Sequence, residues 1–176
     1  RLLMLGALGG LQWATGWWMV ASGLRGGMVR VASYRLAVHL GLAFAILGLI
    51  AWYALLLGRT EAQLMAARRG REGRLVSGAT GLMHLAFLQI LLGALVAGID
   101  AGRGYTDWPL MAGSVLPPGM WELEPLWRNL FENDGTVQFI HRCTGYLLAV
   151  LAVVVWLRAR RSPHAATRWA GAVMLG

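Results

Sequence analysis

Two histidines lie inside long apolar stretches of the chain, where few other side chains could do chemistry. His39 falls in Leu36–Leu57 and His141 in Phe139–Leu157, each near the start of its stretch. Ionisable side chains are costly inside a membrane, so each is a functional candidate. Neutral imidazoles held on rigid helices in an apolar pocket suit axial ligation of a haem iron. The pair indicates haem ligation, and the alternative is that each histidine only hydrogen-bonds a neighbouring helix.

The residues around these histidines favour the haem interpretation. Arg35 precedes His39 by four residues, which places it one helical turn further out, where it could hold a haem propionate by a bidentate contact. Arg142 directly follows His141 and can extend to the same membrane interface. A small residue follows each histidine by four positions and would let a flat macrocycle approach the backbone: Ala43 and Gly145.

Three other reactive side chains are given ordinary roles. We expect His84, which lies within Gly78–Ile99 without a neighbouring arginine, to pack or to form a hydrogen bond. His164 follows Pro163 in a basic segment and should be solvated. Cys143 is the single cysteine, which excludes an intramolecular disulfide and favours a packing role.

The elements that carry the histidines are predicted to be membrane-spanning helices. The sequence is 57% apolar and 14% charged, which is less polar than a soluble domain. A helix needs roughly 20 residues to cross about 30 Å of hydrocarbon. Four stretches come near that length, and a fifth begins at Trp169: Leu2–Ala21, Leu36–Leu57, Gly78–Ile99 and Phe139–Leu157. The fold class is therefore an all-α, polytopic integral membrane protein.

The arginines predict how the helices are oriented. Linkers 58–77 and 158–168 are rich in arginine and should face the cytoplasm or matrix, whereas loop 100–136 is mainly acidic and should face outward. Loop 22–35 is then also outside, although Arg25, Arg30 and Arg35 make it the weakest part of this assignment. Because the arginines flank apolar spans, the net charge of +8 does not indicate nucleic-acid binding.

Loop 100–136 is too long to be a plain connector, and its aromatic residues argue against disorder. After Pro125, an apolar stripe predicts a short helix that lies in the interface as a lid over the site: Leu126, Trp127, Leu130 and Phe131. The carboxylates of this loop nearest the site are Asp107, Glu122 and Glu124, and we expect most of them to be solvated.

Four segments of the sequence resemble those of a known protein family. GGLQWATGWWMVASGL at 9–24, YRLAVHLGLA at 34–43, LLGALVAGIDAGRGYTDWPLMAGSVLPP at 91–118 and LEPLWRNLFENDGTVQFIHRCTGYLLAV at 123–150 occur in this order. Together they resemble the haem A synthase family of proteobacteria and mitochondria. The resemblance covers nearly the whole chain, and the DAG-x-x-Y-x-x-WPLM and WRNLFEN strings are its most specific parts.

The resemblance implies a fold of eight spans in two pseudo-symmetric four-helix halves, each with a haem between histidines of its second and fourth helices. This chain would hold spans three to six and the start of span seven. Residues 1–57 would then be the last two helices of the N-terminal half, 58–77 the linker between halves, and 78–176 the first helices of the C-terminal half.

The resemblance also implies the roles of individual residues. His39 would ligate the iron of the substrate haem and His141 the iron of haem b, with partner histidines on spans two and eight. Pairing His39 with His141, which their similar depth suggests, is therefore not expected. Arg35 and Arg142 would contact the haems. The family's catalytic glutamate precedes span two, so no catalytic residue is expected here, and Glu122 and Glu124 do not inherit that role.

The implied activity is oxidation of the C8 methyl group of haem O to a formyl group, which makes haem A for cytochrome oxidase. The setting would be the inner membrane of a bacterium or of a mitochondrion. Haem O synthase, cytochrome oxidase assembly factors or further copies of the chain are the expected partners. The sequence leaves two alternatives open: a b-type haem electron-transfer protein, and a transporter whose histidines relay protons.

Overall fold

The computed structural model describes residues 2–23 and 32–174, and the elements in these ranges are helical. Arg25 and Arg30, on which the orientation of loop 22–35 depends, lie outside the described residues. The α-helices are α1 (Leu2–Gly23), α2 (Ser33–Leu57), α3 (Glu61–Arg69), α4 (Gly73–Gly98), α5 (Asn129–Glu132), α6 (Asp134–Ala159) and α7 (Ala165–Val173), and two 3-10 turns cover Ala101–Arg103 and Leu126–Arg128.

Three of the four predicted spans are confirmed. In the described ranges, α2, α4 and α6 are long and apolar enough to cross a membrane, with 25, 26 and 26 residues. The first stretch also forms a helix, α1, of 22 residues. It is not among those three because Gln12, Thr15 and three tryptophans lower its hydropathy.

The long helices form an open row. α1 packs on α2, α2 on α4, α4 on α6, and α6 on α7. Small residues bring the helices together, as membrane helices require. A Cβ at Gly41 of α2 would lie 2.6 Å from the Leu91 side chain of α4, and one at Gly98 would lie 2.7 Å from Ser33. Ala37, Ala94, Leu95 and Val137 form a buried cluster where α2, α4 and α6 meet.

The loop that connects α4 to α6 is ordered by hydrogen bonds. Asn129 is fully buried and joins both backbone groups of Leu123, while Asn133 caps α6 by accepting from the Thr136 N–H. The predicted lid helix is shorter than its apolar stripe, because the stripe is divided between the turn Leu126–Arg128 and α5. The Ser33 hydroxyl donates to the Phe131 carbonyl, so this segment lies against the start of α2.

The two arginine-rich linkers, 58–77 and 158–168, meet at the ends of the helices that lie away from loop 100–136. The Ser162 hydroxyl donates to the Glu72 carboxylate at 2.6 Å, and the His164 ring nitrogen Nε2 lies 3.3 Å from the Gly70 carbonyl oxygen. Linker 58–77 also contains α3, whose start is closed by a capping box between Thr60 and Gln63. Both linkers therefore lie at the same ends of the long helices.

Candidate functional site

His39 lies in the groove between α1 and α2, in the second turn of α2. Gln12 of α1 donates from Nε2 to the His39 carbonyl oxygen at 3.2 Å, and the same nitrogen lies 3.2 and 3.3 Å from the ring nitrogens Nδ1 and Nε2. Thr15 Oγ1 is 3.2 Å from His39 Nδ1. Gly16 leaves room for the ring, since a Cβ there would lie 3.0 Å from His39 Cε1.

His141 lies in the groove between α4 and α6 in nearly the same setting. Gln89 of α4 donates from Nε2 to the His141 carbonyl oxygen at 3.1 Å and lies 3.3 Å from ring Nε2. A Cβ at Gly93 would lie 3.2 Å from His141 Cε1. The buried Nδ1 of His141 has no hydrogen-bond partner within the described ranges. Each histidine is thus held by a glutamine and a glycine of the preceding long helix.

The two histidines occupy different grooves, although both lie near the end of the row that carries loop 100–136. His39 contacts α1, whereas His141 contacts α4, and no hydrogen bond links the two sites in the described part of the chain. The structure therefore brings each histidine together with a glutamine and not with the other histidine.

Arg35 lies one turn above His39, as its spacing predicts, and its guanidinium is held against α1. Nη1 donates to the Trp18 carbonyl oxygen at 2.8 Å, and the guanidinium carbon lies 4.6 Å from the centre of the Trp18 ring. No carboxylate among the described residues pairs with Arg35. The side chain is a half-buried cation at the mouth of the His39 groove.

Arg142 has a structural task that its spacing did not predict. Its two terminal nitrogens donate to the carbonyl oxygens of Asp107 at 2.9 Å, Leu110 at 3.2 Å and Tyr105 at 2.7 Å. Gln138, one turn earlier on α6, also donates to Tyr105 at 2.8 Å. Arg142 therefore fastens loop 100–136 to α6 directly above His141.

The small residues after the histidines do not both border open space. A Cβ at Gly145 would lie 3.1 Å from Gln89 Nε2, so the amide of Gln89 fills that face. A polar side chain of α4 thus packs against Gly145 in this structure, and the prediction that Gly145 admits a macrocycle stays a prediction. Cys143 is exposed, which contradicts its expected packing role within this chain.

The remaining reactive side chains act locally. His84 Nδ1 lies 2.8 Å from the Thr80 carbonyl oxygen of its own helix, which confirms its predicted hydrogen-bonding role. Asp107 accepts from the backbone N–H groups of Ala112 and Gly113, both at 3.0 Å. These bonds, first that from Gly113 and then that from Ala112, hold the pKa of the Asp107 carboxyl below its ordinary value. Within the described ranges no carboxylate hydrogen-bonds His39 or His141, including Glu122 and Glu124.

The glutamines Gln12 and Gln89 were missed from the sequence, although a signal for them exists. The string L-Q-x-x-x-G occurs at 11–16 and again at 88–93, each time in the helix that packs against a histidine helix. Polar residues inside spans often bond across helices. The repeat of this string predicts a repeat of the contact.

The side chains that line each groove are of the kind that can hold a haem. Each groove offers one imidazole, a glycine that leaves the ring space, and buried polar atoms that still lack partners: Gln12 Oε1, Gln89 Oε1 and His141 Nδ1. Iron takes neutral imidazole as an axial ligand, and the second imidazole nitrogen normally needs an acceptor. One histidine per groove supplies one axial position, so a second ligand would come from outside these helix pairs.

The row of long apolar helices, the histidines within two of them and the ordered loop 100–136 together define a polytopic helical membrane protein with two similar histidine sites. The chain belongs to the COX15-CtaA family of cytochrome oxidase assembly proteins, whose match covers residues 1–176.

Several curated relatives are similar along nearly the whole chain. Haem A synthase of Paracoccus denitrificans is 71% identical over 175 residues, which is 99% of this chain and 46% of that protein. Haem A synthases of Jannaschia sp. and Dinoroseobacter shibae are 66% and 64% identical, over all of this chain and 48% and 47% of their own lengths. The chain thus spans about half the length of these relatives. No solved structure matches it.

Proposed function

We propose that this chain is the central part of a haem A synthase, an oxidoreductase that converts the C8 methyl group of haem O to a formyl group. The observation that carries the proposal is the 71% identity to a protein of that name over 99% of the chain. The two histidine grooves support it, because they supply imidazole ligands of the kind that haem iron binds.

In this proposal the grooves have different tasks. His39 ligates the iron of haem O, the substrate, and His141 ligates a resident haem b. The separation supports this division, since each histidine is held by its own helix pair and its own glutamine. The repeated glutamine and glycine contacts also support two pseudo-symmetric halves, joined by linker 58–77.

The residues of this chain would bind and orient the two macrocycles. Arg35 lies at the mouth of the His39 groove, pairs with no carboxylate of the described residues, and would hold a propionate of haem O. Arg142 would keep loop 100–136 over the His141 groove and direct its remaining donor capacity to haem b. A fixed macrocycle presents one methyl group to the reactive centre, which gives regioselectivity. Haem b, when bound, supplies one-electron transfer.

The membrane setting follows the same assignment. α2, α4 and α6 would cross the inner membrane of a bacterium, with the arginine-rich linkers on the cytoplasmic side. A haem O synthase that delivers the substrate, assembly factors that receive haem A, or a second copy of the protein would be its partners in that membrane.

Haem extraction tests the proposal. The full-length protein, expressed with a source of haem O, should yield haem b, haem O and oxidised derivatives when its haems are extracted and separated by chromatography. A preparation that contains haem b alone would favour the electron-transfer alternative. A preparation without a Soret band would favour a proton relay, which needs no haem.

A further inference from the structure

The contact between glutamine and histidine occurs twice with nearly the same geometry. Gln12 and Gln89 each donate from Nε2 to the backbone carbonyl of the facing histidine, at 3.2 and 3.1 Å. In both grooves Nε2 also lies 3.3 Å from ring Nε2 of that histidine. Four residues after each glutamine a glycine, Gly16 or Gly93, faces Cε1 of the same ring. A Cβ added to that glycine would lie 3.0 Å (Gly16) or 3.2 Å (Gly93) from this Cε1.

Each glutamine also carries a polar atom that lacks a partner. Gln12 Oε1 and Gln89 Oε1 are buried without a hydrogen-bond partner in the described ranges, as is His141 Nδ1. A buried amide oxygen without a partner is destabilising, and its occurrence beside a histidine ring at two equivalent positions indicates a ligand-bound role. A histidine that binds metal through one nitrogen almost always donates the other N–H to an acceptor, which fixes the tautomer and the ring orientation.

We propose that Gln12 and Gln89 are positioning residues for the axial histidines. Oε1 of each glutamine accepts the Nδ1–H of the facing histidine when that ring coordinates iron through Nε2. The amide stays anchored, because its Nε2 remains on the histidine backbone carbonyl. Gly16 and Gly93 leave the space in which the ring turns to this orientation. The inference rests on the proposed haem sites.

The two grooves differ in one respect that sharpens the expectation. Thr15 Oγ1 lies 3.2 Å from His39 Nδ1 and offers this ring a second polar neighbour. His141 Nδ1 has no such neighbour among the described side chains. Loss of Gln89 should therefore change the orientation and donor strength of the His141 ring more than loss of Gln12 changes those of the His39 ring.

The test uses Gln89→Leu and Gln89→Glu in the full-length protein, with the midpoint potential and low-spin spectrum of haem b as readouts. A carboxylate accepts the Nδ1–H more strongly and makes the imidazole a better donor to ferric iron, so Gln89→Glu should lower the potential. Gln89→Leu removes the acceptor and should raise the potential, with haem b retention weakened about 10- to 100-fold. Loss of a glutamine that only packs the helices would not raise the potential more than loss of Gln138 does, so Gln89→Leu compared with the control below gives the readout that a structural role would not move.

Gln138→Leu is the matched control. Gln138 lies one turn from His141 on the same helix, and its Oε1 is also buried without a partner in the described ranges. Its Nε2 donates to the Tyr105 carbonyl, however, and its amide does not hydrogen-bond the His141 ring. This variant should leave the potential unchanged. If Gln89→Leu does not fold, the midpoint potentials of Gln89→Glu and wild type still test whether Gln89 acts on the His141 ring. Equal potentials in Gln89→Glu and wild type would overturn the inference.

Failure of the haem site itself is distinguishable. If His141→Ala keeps low-spin haem b at wild-type potential, the assignment of His141 is wrong, whatever the glutamine variants do. If His141→Ala loses low-spin haem b while both Gln89 variants keep the wild-type potential, only the role of Gln89 is wrong.

The glycine has a separate test. Gly93→Ala places a methyl group about 3.2 Å from His141 Cε1 and should rotate the ring, which changes the g values of low-spin ferric haem b in electron paramagnetic resonance. Gly81→Ala on the same helix meets nothing within 4 Å and should leave the spectrum unchanged. An unchanged spectrum for Gly93→Ala would show that the ring does not depend on this space.

Discussion

At the scale of residues, the proposed chemistry rests on two imidazoles that have similar neighbours and separate grooves. His39 is bound by Gln12 and His141 by Gln89, across different helix pairs. Two sites without shared contacts should respond independently to mutation. Loss of one histidine should therefore remove one haem function and spare the other.

We expect His141→Ala to lower bound haem b or to convert it to a high-spin spectrum, because an axial ligand is lost. His39→Ala should abolish haem A formation and leave most of the haem b in place. Haem extraction and optical spectra of the two full-length variants measure both effects. If His39→Ala removed haem b and spared haem A, the two sites would be assigned the wrong way round.

Arg35 has a distinct prediction at this scale. Arg35→Ala should weaken retention of haem O by about 5- to 150-fold, corresponding to roughly 1–3 kcal/mol for a partly exposed charge-assisted contact. Arg35→Lys should recover only part of this loss, because ammonium lacks the planar fork that meets a carboxylate with two hydrogen bonds.

The control for Arg35 is Arg59→Ala, which removes an exposed arginine beyond the opposite end of α2. Haem occupancy in detergent is measured for wild type and the three variants. Equal occupancy throughout would leave Arg35 as an interface residue that contacts Trp18 and Tyr34 but no haem.

At the scale of elements, the spans were predictable and their polar contacts were not. Apolar stretches of about the length that a bilayer needs predicted α2, α4 and α6, because burying backbone polar groups in lipid requires a helix. Composition does not fix the rotation of one helix against another, so the contacts of Gln89 with His141 and with Gly145 were missed. Arg142 was assigned to haem alone because its partners are backbone carbonyls of the loop, and a backbone carbonyl does not depend on the residue type that the sequence shows.

Loop 100–136 contains a turn that we expect to be sensitive to acid. Asp107 accepts two backbone N–H groups, and its pKa is lowered from 3.8 mainly by the bond from Gly113. A lowered pKa means that the carboxylate stabilises the turn above about pH 3.8 and that this contribution is lost as pH falls through the lower, folded-state pKa. The turn should therefore persist at neutral pH and open only in stronger acid.

Amide resonances of Ala112 and Gly113 in labelled protein should report this opening in a pH titration. We expect a midpoint below 3.8, the ordinary value of an aspartate. Asp107→Asn, which cannot ionise, should abolish the transition. A midpoint at or above 3.8 in the wild-type protein would mean that the backbone bonds do not favour the charged carboxylate.

At the scale of the whole molecule, the row of helices has two chemically different ends. Loop 100–136, both histidines and Arg35 lie toward one end, and the joined arginine-rich linkers lie at the other. Since cytoplasmic segments retain positive charge, the two histidine grooves should open toward the outer side of the membrane. The orientation of the molecule thus determines from which side each segment can be reached.

Trypsin, which cleaves after arginine, tests this orientation. In inside-out vesicles, the protease should cut linker 58–77 at its exposed arginines Arg68, Arg69 and Arg71. In right-side-out vesicles it should cut instead at the exposed Arg103 and the half-buried Arg128 of loop 100–136, with fragments mapped by mass spectrometry. Arg103→Gln together with Arg128→Gln should remove the outer-loop cuts, and detergent should expose every site in both preparations. Cleavage after Arg68 from the outer side of sealed vesicles would reverse the topology and place both histidine grooves near the cytoplasm.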